Sequence, residues 1–113
     1  METPLDWGTF MQIDMRVGKI IRVEVFKEAR NPSYVITVDF GPDLGMKKTS
    51  AQVTQRYATN ELLGKTIVAV VNFPPMQIGP MMSEFLLLGA MDTTHGTAVL
   101  EVPSDIPLGT RIG

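Results

Sequence analysis

Apolar side chains recur at every second position over two stretches of this chain, the period of a strand with one buried face. Between Ile13 and Phe26 the apolar set is Ile13, Met15, Val17, Ile21, Val23 and Val25, with Asp14, Arg16, Arg22 and Glu24 interleaved. This predicts a long first strand. Lys19 and Ile20 break the alternation just after Gly18, and a glycine at such a break suggests a bulge or sharp coil that lets one strand serve two sheets. Lys27 to Pro32 reads as a loop because it ends in Asn31-Pro32. Tyr34, Ile36, Val38 and Phe40 then alternate with Val35, Thr37 and Asp39 as a second strand. Gly41-Pro42-Asp43-Leu44-Gly45 is turn chemistry, and Met46 to Ala51 returns as a third strand of a meander.

Gln52 to Leu63 is the stretch that resembles helix, with Thr59 as the expected N-cap, Glu61 near the start and Gly64 just past the end. Lys65 to Phe73 is a nearly continuous, β-branched apolar run, expected as a buried fourth strand stopped by Pro74 and Pro75. A loop containing Met76, Gln77, Gly79 and Pro80 should lead to a fifth strand from about Met82 to Met91. Thr97 to Val102 reads as a further short strand, followed by a proline-punctuated tail. At the other end, Thr3 as N-cap and Pro4 at the first helical position predict a short helix or 3₁₀ turn. The expected fold is all-β. It is a five-stranded OB-fold barrel with a short helical segment between strands 3 and 4, an N-terminal helix (1–12) and a C-terminal extension (92–113). An SH3-like or other small barrel is the competing architecture. A length of 113 residues suits one domain spanning 1–113.

Composition narrows the function classes. Hydrophobic residues make up 44% and charged residues 19%, which excludes disordered and collagen-like chains. There is no cysteine, so disulfides, thiolate nucleophiles and zinc ribbons are excluded and a cytoplasmic location is expected. The first ten residues carry Glu2 and Asp6 without a basic start or a long apolar run, arguing against a signal peptide. No apolar run approaches the ~20 residues that span a bilayer, so no membrane insertion is expected. The net charge of −2 argues against indiscriminate coating of nucleic acid. The charge is unevenly spread, however. Nine of the ten basic residues lie between Arg16 and Lys65 against five acids, a net of +4 there and −6 elsewhere. A local basic face with acidic surroundings suits selective binding of a polyanion, and scattered solubilising charge is the plain alternative.

Several segments then occur together in order: Asp14-Met15-Arg16-Val17-Gly18-Lys19-Ile20, Val38-Asp39-Phe40-Gly41, Glu61-Leu62-Leu63-Gly64-Lys65, Val71-Asn72-Phe73-Pro74-Pro75, and Ser83-Glu84 before Leu86-Leu87-Leu88. Over residues 10–113 the chain resembles the tRNA-binding-domain family of OB-folds. The loop Ala29-Arg30-Asn31-Pro32-Ser33-Tyr34 and the segment Ser50-Ala51-Gln52-Val53-Thr54 look most like its small, single-domain CsaA type. The resemblance implies tRNA as partner and a homodimer, with both terminal segments in the contact. Leu5, Trp7 and Phe10 before the barrel, and Val99, Leu100, Val102, Ile106 and Leu108 after it, are more apolar side chains than a five-strand barrel needs. A two-fold interface would hide them, and packing on their own barrel is the alternative.

Binding single-stranded or looped RNA needs cations at phosphates, flat side chains for stacking, and polar groups for base edges. Arg16 and Arg22 on the first strand, Arg30 and Asn31 in the loop after it, and Lys47 and Lys48 on the third strand are the expected footprint, gathered around the barrel's open face. Phe73, and also Tyr34, stand at strand ends where a base can stack, or else belong to the core. Asn72 offers a donor and an acceptor, to a base edge or to the strand end. Ser50 and Ser83 join the set through the resemblance. At Ser83-Glu84-Phe85-Leu86 the family's usual glycine and methionine are replaced by Phe85 and Leu86, which puts in doubt any contact needing close backbone approach there. CsaA-type members are linked to protein export as chaperones, so unfolded presecretory proteins or the export machinery are the alternative partners. Met76, Ile78, Met81, Met82 and Phe85 would form the adaptable apolar loop for them, unless they pack in the core or dimer seam. No catalytic residue, cofactor or metal is expected. His95 is the only histidine, in a turn, and no nucleophile and base are spaced for a triad.

Overall fold

The computed structural model describes residues 3–113; Met1 and Glu2, the start of the expected N-terminal helix, lie outside the described residues. Strand β1 (Met15–Val25) organises the rest. Its second half pairs antiparallel with β2 (Tyr34–Asp39), which pairs with β3 (Met46–Ala51) as the predicted meander. Its first half pairs with β4 (Thr66–Val70). Lys19 is the pivot, opposite Asp39 on one edge and Thr66 on the other. The register shift falls between Ile20 and Arg22, so Ile21 is the extra residue, slightly beyond the predicted break.

The bulge changes which side chains enter the barrel. Val23, Ile36 and Thr49 lie in one row and Ile20, Val38 and Lys47 in another. Ile20, Tyr34, Ile36, Val38, Phe40, Val53, Leu62, Ile67, Ala69, Phe85 and Val99 form the core. The expected odd-numbered face of β1 is therefore not the interior one before the bulge. Gly18 faces inward instead, where a Cβ would meet the Phe40 ring at 2.8 Å. Val17 is buried on the opposite face opposite Val68, and Met15 there pairs with Val70. This second apolar layer explains why every residue of β4 is buried.

Helix α1 (Trp7–Met11) is capped by Asp6, whose carboxylate accepts from the Thr9 N–H at 3.1 Å, rather than by Thr3. Helix α2 (Thr59–Leu62) is shorter than the predicted stretch and starts after Ala58; Thr59 is inside it. Glu61 accepts from the Ala58 N–H at 2.7 Å, and Gly64 at φ +87° ends the helix as expected.

The expected fifth strand is broken into β6 (Met81–Ser83), β7 (Leu86–Leu87) and β8 (Gly89–Ala90). In place of the expected loop, β5 (Met76–Ile78) pairs with β6 in a hairpin. Strand β7 completes the order β3-β2-β1-β4-β7, a nearly closed five-stranded antiparallel OB-like barrel. The gap between its outer strands is bridged where Glu84 and Lys48 exchange two hydrogen bonds and the Thr49 hydroxyl donates to the Phe85 carbonyl at 2.7 Å. The C-terminal segment returns along the barrel: β9 (Ala98–Val99) pairs with β8, and β10 (Arg111–Ile112) pairs with the start of β1. Among the described residues no helix is long and apolar enough to cross a membrane.

Candidate nucleic-acid interface

Because directly paired residues point to one face of a sheet, the register fixes the outer surface of the meander. Lys19, Asp39 and Met46 form one row, Arg22, Thr37 and Lys48 a second, and Glu24, Val35 and Ser50 a third. Lys48 lies on this face, whereas Lys47, with Val38 and Ile20, lies on the other. The two lysines expected to act together are thus separated by the strand's period of two. Arg22 is exposed and pairs with Glu24 at 3.1 Å, an ion pair of little net strength that a phosphate can displace.

Ser50 also lines a groove of about 870 Å³ at one end of the face. Glu28, Arg30, Asn31, Ser33 and Gln52 supply polar groups to it, with Glu28 an acid beside the cation, and Leu86, Leu87, Ile78 and Val99 supply apolar ones. The β1–β2 loop forms one wall because the Phe26 N–H donates to the Ser33 carbonyl and the Ser33 hydroxyl to the Asn31 carbonyl at 2.8 Å. Three of the predicted RNA-contacting residues, Arg30, Asn31 and Ser50, therefore meet in one place. Among the described residues Lys19, Lys27, Arg30, Lys47, Lys48 and Arg111 form no ion pair with a carboxylate. All but Arg111, which lies on β10, belong to β1, β3 or the segment between β1 and β2.

The other expected contacts have local partners. Arg16 donates to Asp14 at 2.6 Å and to the Gly109 carbonyl at 3.1 Å. Its hydrogen bond to Asp14, against the opposing effect of burial, raises its pKa above the ordinary arginine value. Asn72 donates to the Gln12 carbonyl at 2.7 Å and accepts from the Asp14 N–H at 3.0 Å, fastening the end of α1 to the end of β4. The Ser83 hydroxyl is 2.8 Å from that of Thr49, in the barrel seam. Tyr34 is buried, its hydroxyl donating to the Tyr57 carbonyl at 2.8 Å. Phe73 is 53% exposed.

Two expectations for the apolar surfaces are corrected. Phe85 is not on a peptide-accessible loop: it is buried edge-to-face against Phe40, ring centres 5.1 Å apart. Val99 is not left over for a dimer seam, because it belongs to the barrel core. Met76 and Met82 are exposed, and Ile78 and Met81 half-buried, on the β5–β6 hairpin. Leu5, Trp7 and Leu100 are exposed, while Phe10, Val102, Ile106 and Leu108 are half-buried.

A family model described as "Putative tRNA binding domain" matches residues 15–111, from the first residue of β1 into β10. The chain belongs to the tRNA-binding-domain family. Its fold is similar to a crystal structure of CsaA chaperone protein from Picrophilus torridus, with 43% identity, a TM-score of 0.91, and coverage of 97% of this chain and 100% of that one. The corresponding values for chaperone CsaA of Bacillus anthracis are 40%, 0.90, 98% and 100%. A methionine–tRNA ligase of Nanoarchaeum equitans is 36% identical over 103 residues, 91% of this chain and 13% of the ligase. The chain spans 13–16% of the length of the methionine–tRNA ligases it matches.

In this tRNA-binding domain one polar cluster lies apart from the outer face of the meander. Asp92 accepts from the Thr94 N–H at 2.9 Å and the His95 N–H at 3.2 Å, and lies 3.0 Å from His95 Nδ1 and 3.1 Å from Arg56. The Thr94 N–H, then the two His95 groups, hold its carboxyl below the ordinary aspartate pKa, with a smaller contribution from Arg56. Arg56 also donates to the Gly96 carbonyl at 3.0 Å. His95 thus belongs to a loop latch. Among the described residues no group of three His, Asp or Glu side chains can hold a metal. Sequence reasoning missed Thr37 and Gln52; Thr37 reads as an ordinary polar position of an alternating strand until the register puts it between two cations.

Proposed function

We propose that the chain is one tRNA-binding domain acting in the cytoplasm as a homodimer, binding tRNA without catalysing a reaction. The carrying observation is that five of the six cations without a carboxylate partner among the described residues lie on β1, β3 and the β1–β2 segment, the sixth being Arg111 on β10, and that one groove gathers Arg30, Asn31 and Ser50. Arg22, Lys48 and Arg30 contact the phosphate backbone, and Asn31, Ser50 and exposed Phe73 are offered to bases. Arg16, Asn72 and Ser83 support this surface by fixing strand ends and the barrel seam. Dimerisation is supported by Trp7, 71% exposed, with Leu5 and Leu100 on the terminal segments. With the three phosphate contacts of Arg22, Lys48 and Arg30, log affinity should fall with log salt at a slope of about −2.

A second reading, an export-linked chaperone that binds unfolded presecretory chains, is favoured by one observation: Met76 and Met82 stand exposed on the β5–β6 hairpin, where flexible thioethers suit varied apolar segments. Labelled tRNA titrated at two salt concentrations, on protein whose dimer mass is established by light scattering, separates the two. Steep salt-sensitive binding supports the RNA reading. No binding at low salt overturns it and favours the hairpin, whose apolar contacts persist as salt rises.

A further inference from the structure

The hydroxyl of Thr37 is an anomaly on the outer face of the meander. The residue is 8% exposed, and its Oγ1 is a buried polar side-chain atom without a hydrogen-bond partner among the described residues. Buried hydroxyls nearly always have a partner, and leaving one unpaired destabilises the fold. Thr37 does not face the apolar core: its chain neighbours Ile36 and Val38 do. It faces outward in the row it shares with Arg22 and Lys48. The two cations flank it one strand away on each side, with their backbones about 10 Å apart at the usual strand spacing. Both are exposed, and among the described residues Arg22 is held only by its surface pair with Glu24. Their long side chains can part on the timescale of surface rotamer changes.

We propose that Arg22, Thr37 and Lys48 form a seat for one phosphate group of an RNA backbone, with the Thr37 hydroxyl donating to a phosphate oxygen between the two cations. This rests on the tRNA-binding reading and adds to it a neutral, buried ligand in the middle strand. The ligand class follows from the chemistry. Two cations flanking a hydroxyl donor match an oxyanion, and a charge-assisted hydrogen bond to the anion satisfies a donor that otherwise has no partner among the described residues. The seat also accounts for the empty hydroxyl, which gains its partner only when ligand is bound.

Thr37→Val keeps the shape and removes the hydroxyl, whereas Thr37→Ser keeps the hydroxyl. Thr37→Val is expected to melt at the same temperature as the parent or higher, and to bind labelled tRNA about five- to tenfold more weakly. Thr37→Ser should stay within about twofold of the parent, since the donor is retained. The slope of log affinity against log salt should be unchanged in Thr37→Val, because no charge is lost. If the parent binds tRNA and Thr37→Val binds equally well, the seat is overturned while the tRNA reading stands. If the parent binds no tRNA, that reading fails, and inorganic phosphate titrated against the Thr37 methyl resonance decides the seat alone. A saturating shift lost in Lys48→Ala supports it, and an unmoved resonance overturns it.

Discussion

Glu84 bonds to Lys48 in both directions: its Oε1 accepts from the Lys48 N–H at 3.0 Å, and its own N–H donates to the Lys48 carbonyl at 2.8 Å. A side-chain oxygen thereby does the work of a strand carbonyl at the seam of the barrel. Beside it, Thr49 joins the Phe85 carbonyl and the Ser83 hydroxyl. Glu84→Ala should lower stability by about 1–2 kcal/mol, and Glu84→Gln, which keeps a carbonyl acceptor, by less. Urea denaturation midpoints measure both. Equal midpoints for Glu84→Ala and the parent would show that the main-chain bond suffices.

Gly18 is small because Phe40 occupies the space beside it. A Cβ at residue 18 would lie 2.8 Å from two carbons of that ring and closer still to the Val38 side chain. Gly18→Ala should cost about 1–3 kcal/mol by overpacking. Combining it with Phe40→Leu should give a smaller loss than the two single losses added together. Strict additivity in guanidinium unfolding would place the cost at the closer Val38 side chain instead.

The Asp92 carboxyl titrates below the ordinary aspartate range because the Thr94 N–H, His95 and Arg56 favour its charged form. A group whose pKa is depressed by folding stabilises the native state above its unfolded pKa and loses that contribution as pH falls through the folded value. Asp92→Asn should therefore be less stable than the parent at pH 7, and the gap should close as the pH is lowered through 4 and below. Melting curves across that range, with hydrogen exchange at Thr94 and Gly96, would reveal a gap that stayed constant and so had no electrostatic origin.

Lys48 and Lys47 should respond differently to truncation, since they lie on opposite faces of β3. Lys48→Ala is expected to weaken tRNA binding and reduce the salt slope by about 0.7, the contribution of one single-strand phosphate contact. Lys47→Ala should change the slope less. Anisotropy titrations over a salt series compare them, and identical slopes for the two variants would contradict the outer face as the binding surface.

The legible parts of the fold are those where a local pattern decides the outcome. Tyr34, Ile36, Val38 and Phe40 all face the core as their period requires, and Gly64 ends α2 at positive φ. The unread parts depend on contacts between distant segments. Nothing near Gly18 in the sequence announces Phe40, so its glycine reads as a bulge when the extra residue is Ile21. Met82 to Met91 reads as one strand, but Glu84 turns aside to close the seam and divides it. In the site, the clustering of charge toward β1 to β3 is visible in the sequence. The separation of Lys47 from Lys48, the use of Asn72 to hold α1, and the isolation of Thr37 appear only with the pairing register.

The pairing of Met15 with Ile112 has a kinetic consequence. The β1–β2–β3 meander joins neighbours through two short connections, while β10 must find β1 across almost the whole chain, and loop closure becomes costlier with that separation. The meander is therefore expected to acquire amide protection first during refolding and the Arg16–Arg111 pair last, an order that pulsed hydrogen exchange can read. On that schedule the outer face that carries Arg22, Thr37 and Lys48 exists while the tail is still searching for its edge, so the proposed binding surface is complete before the fold is.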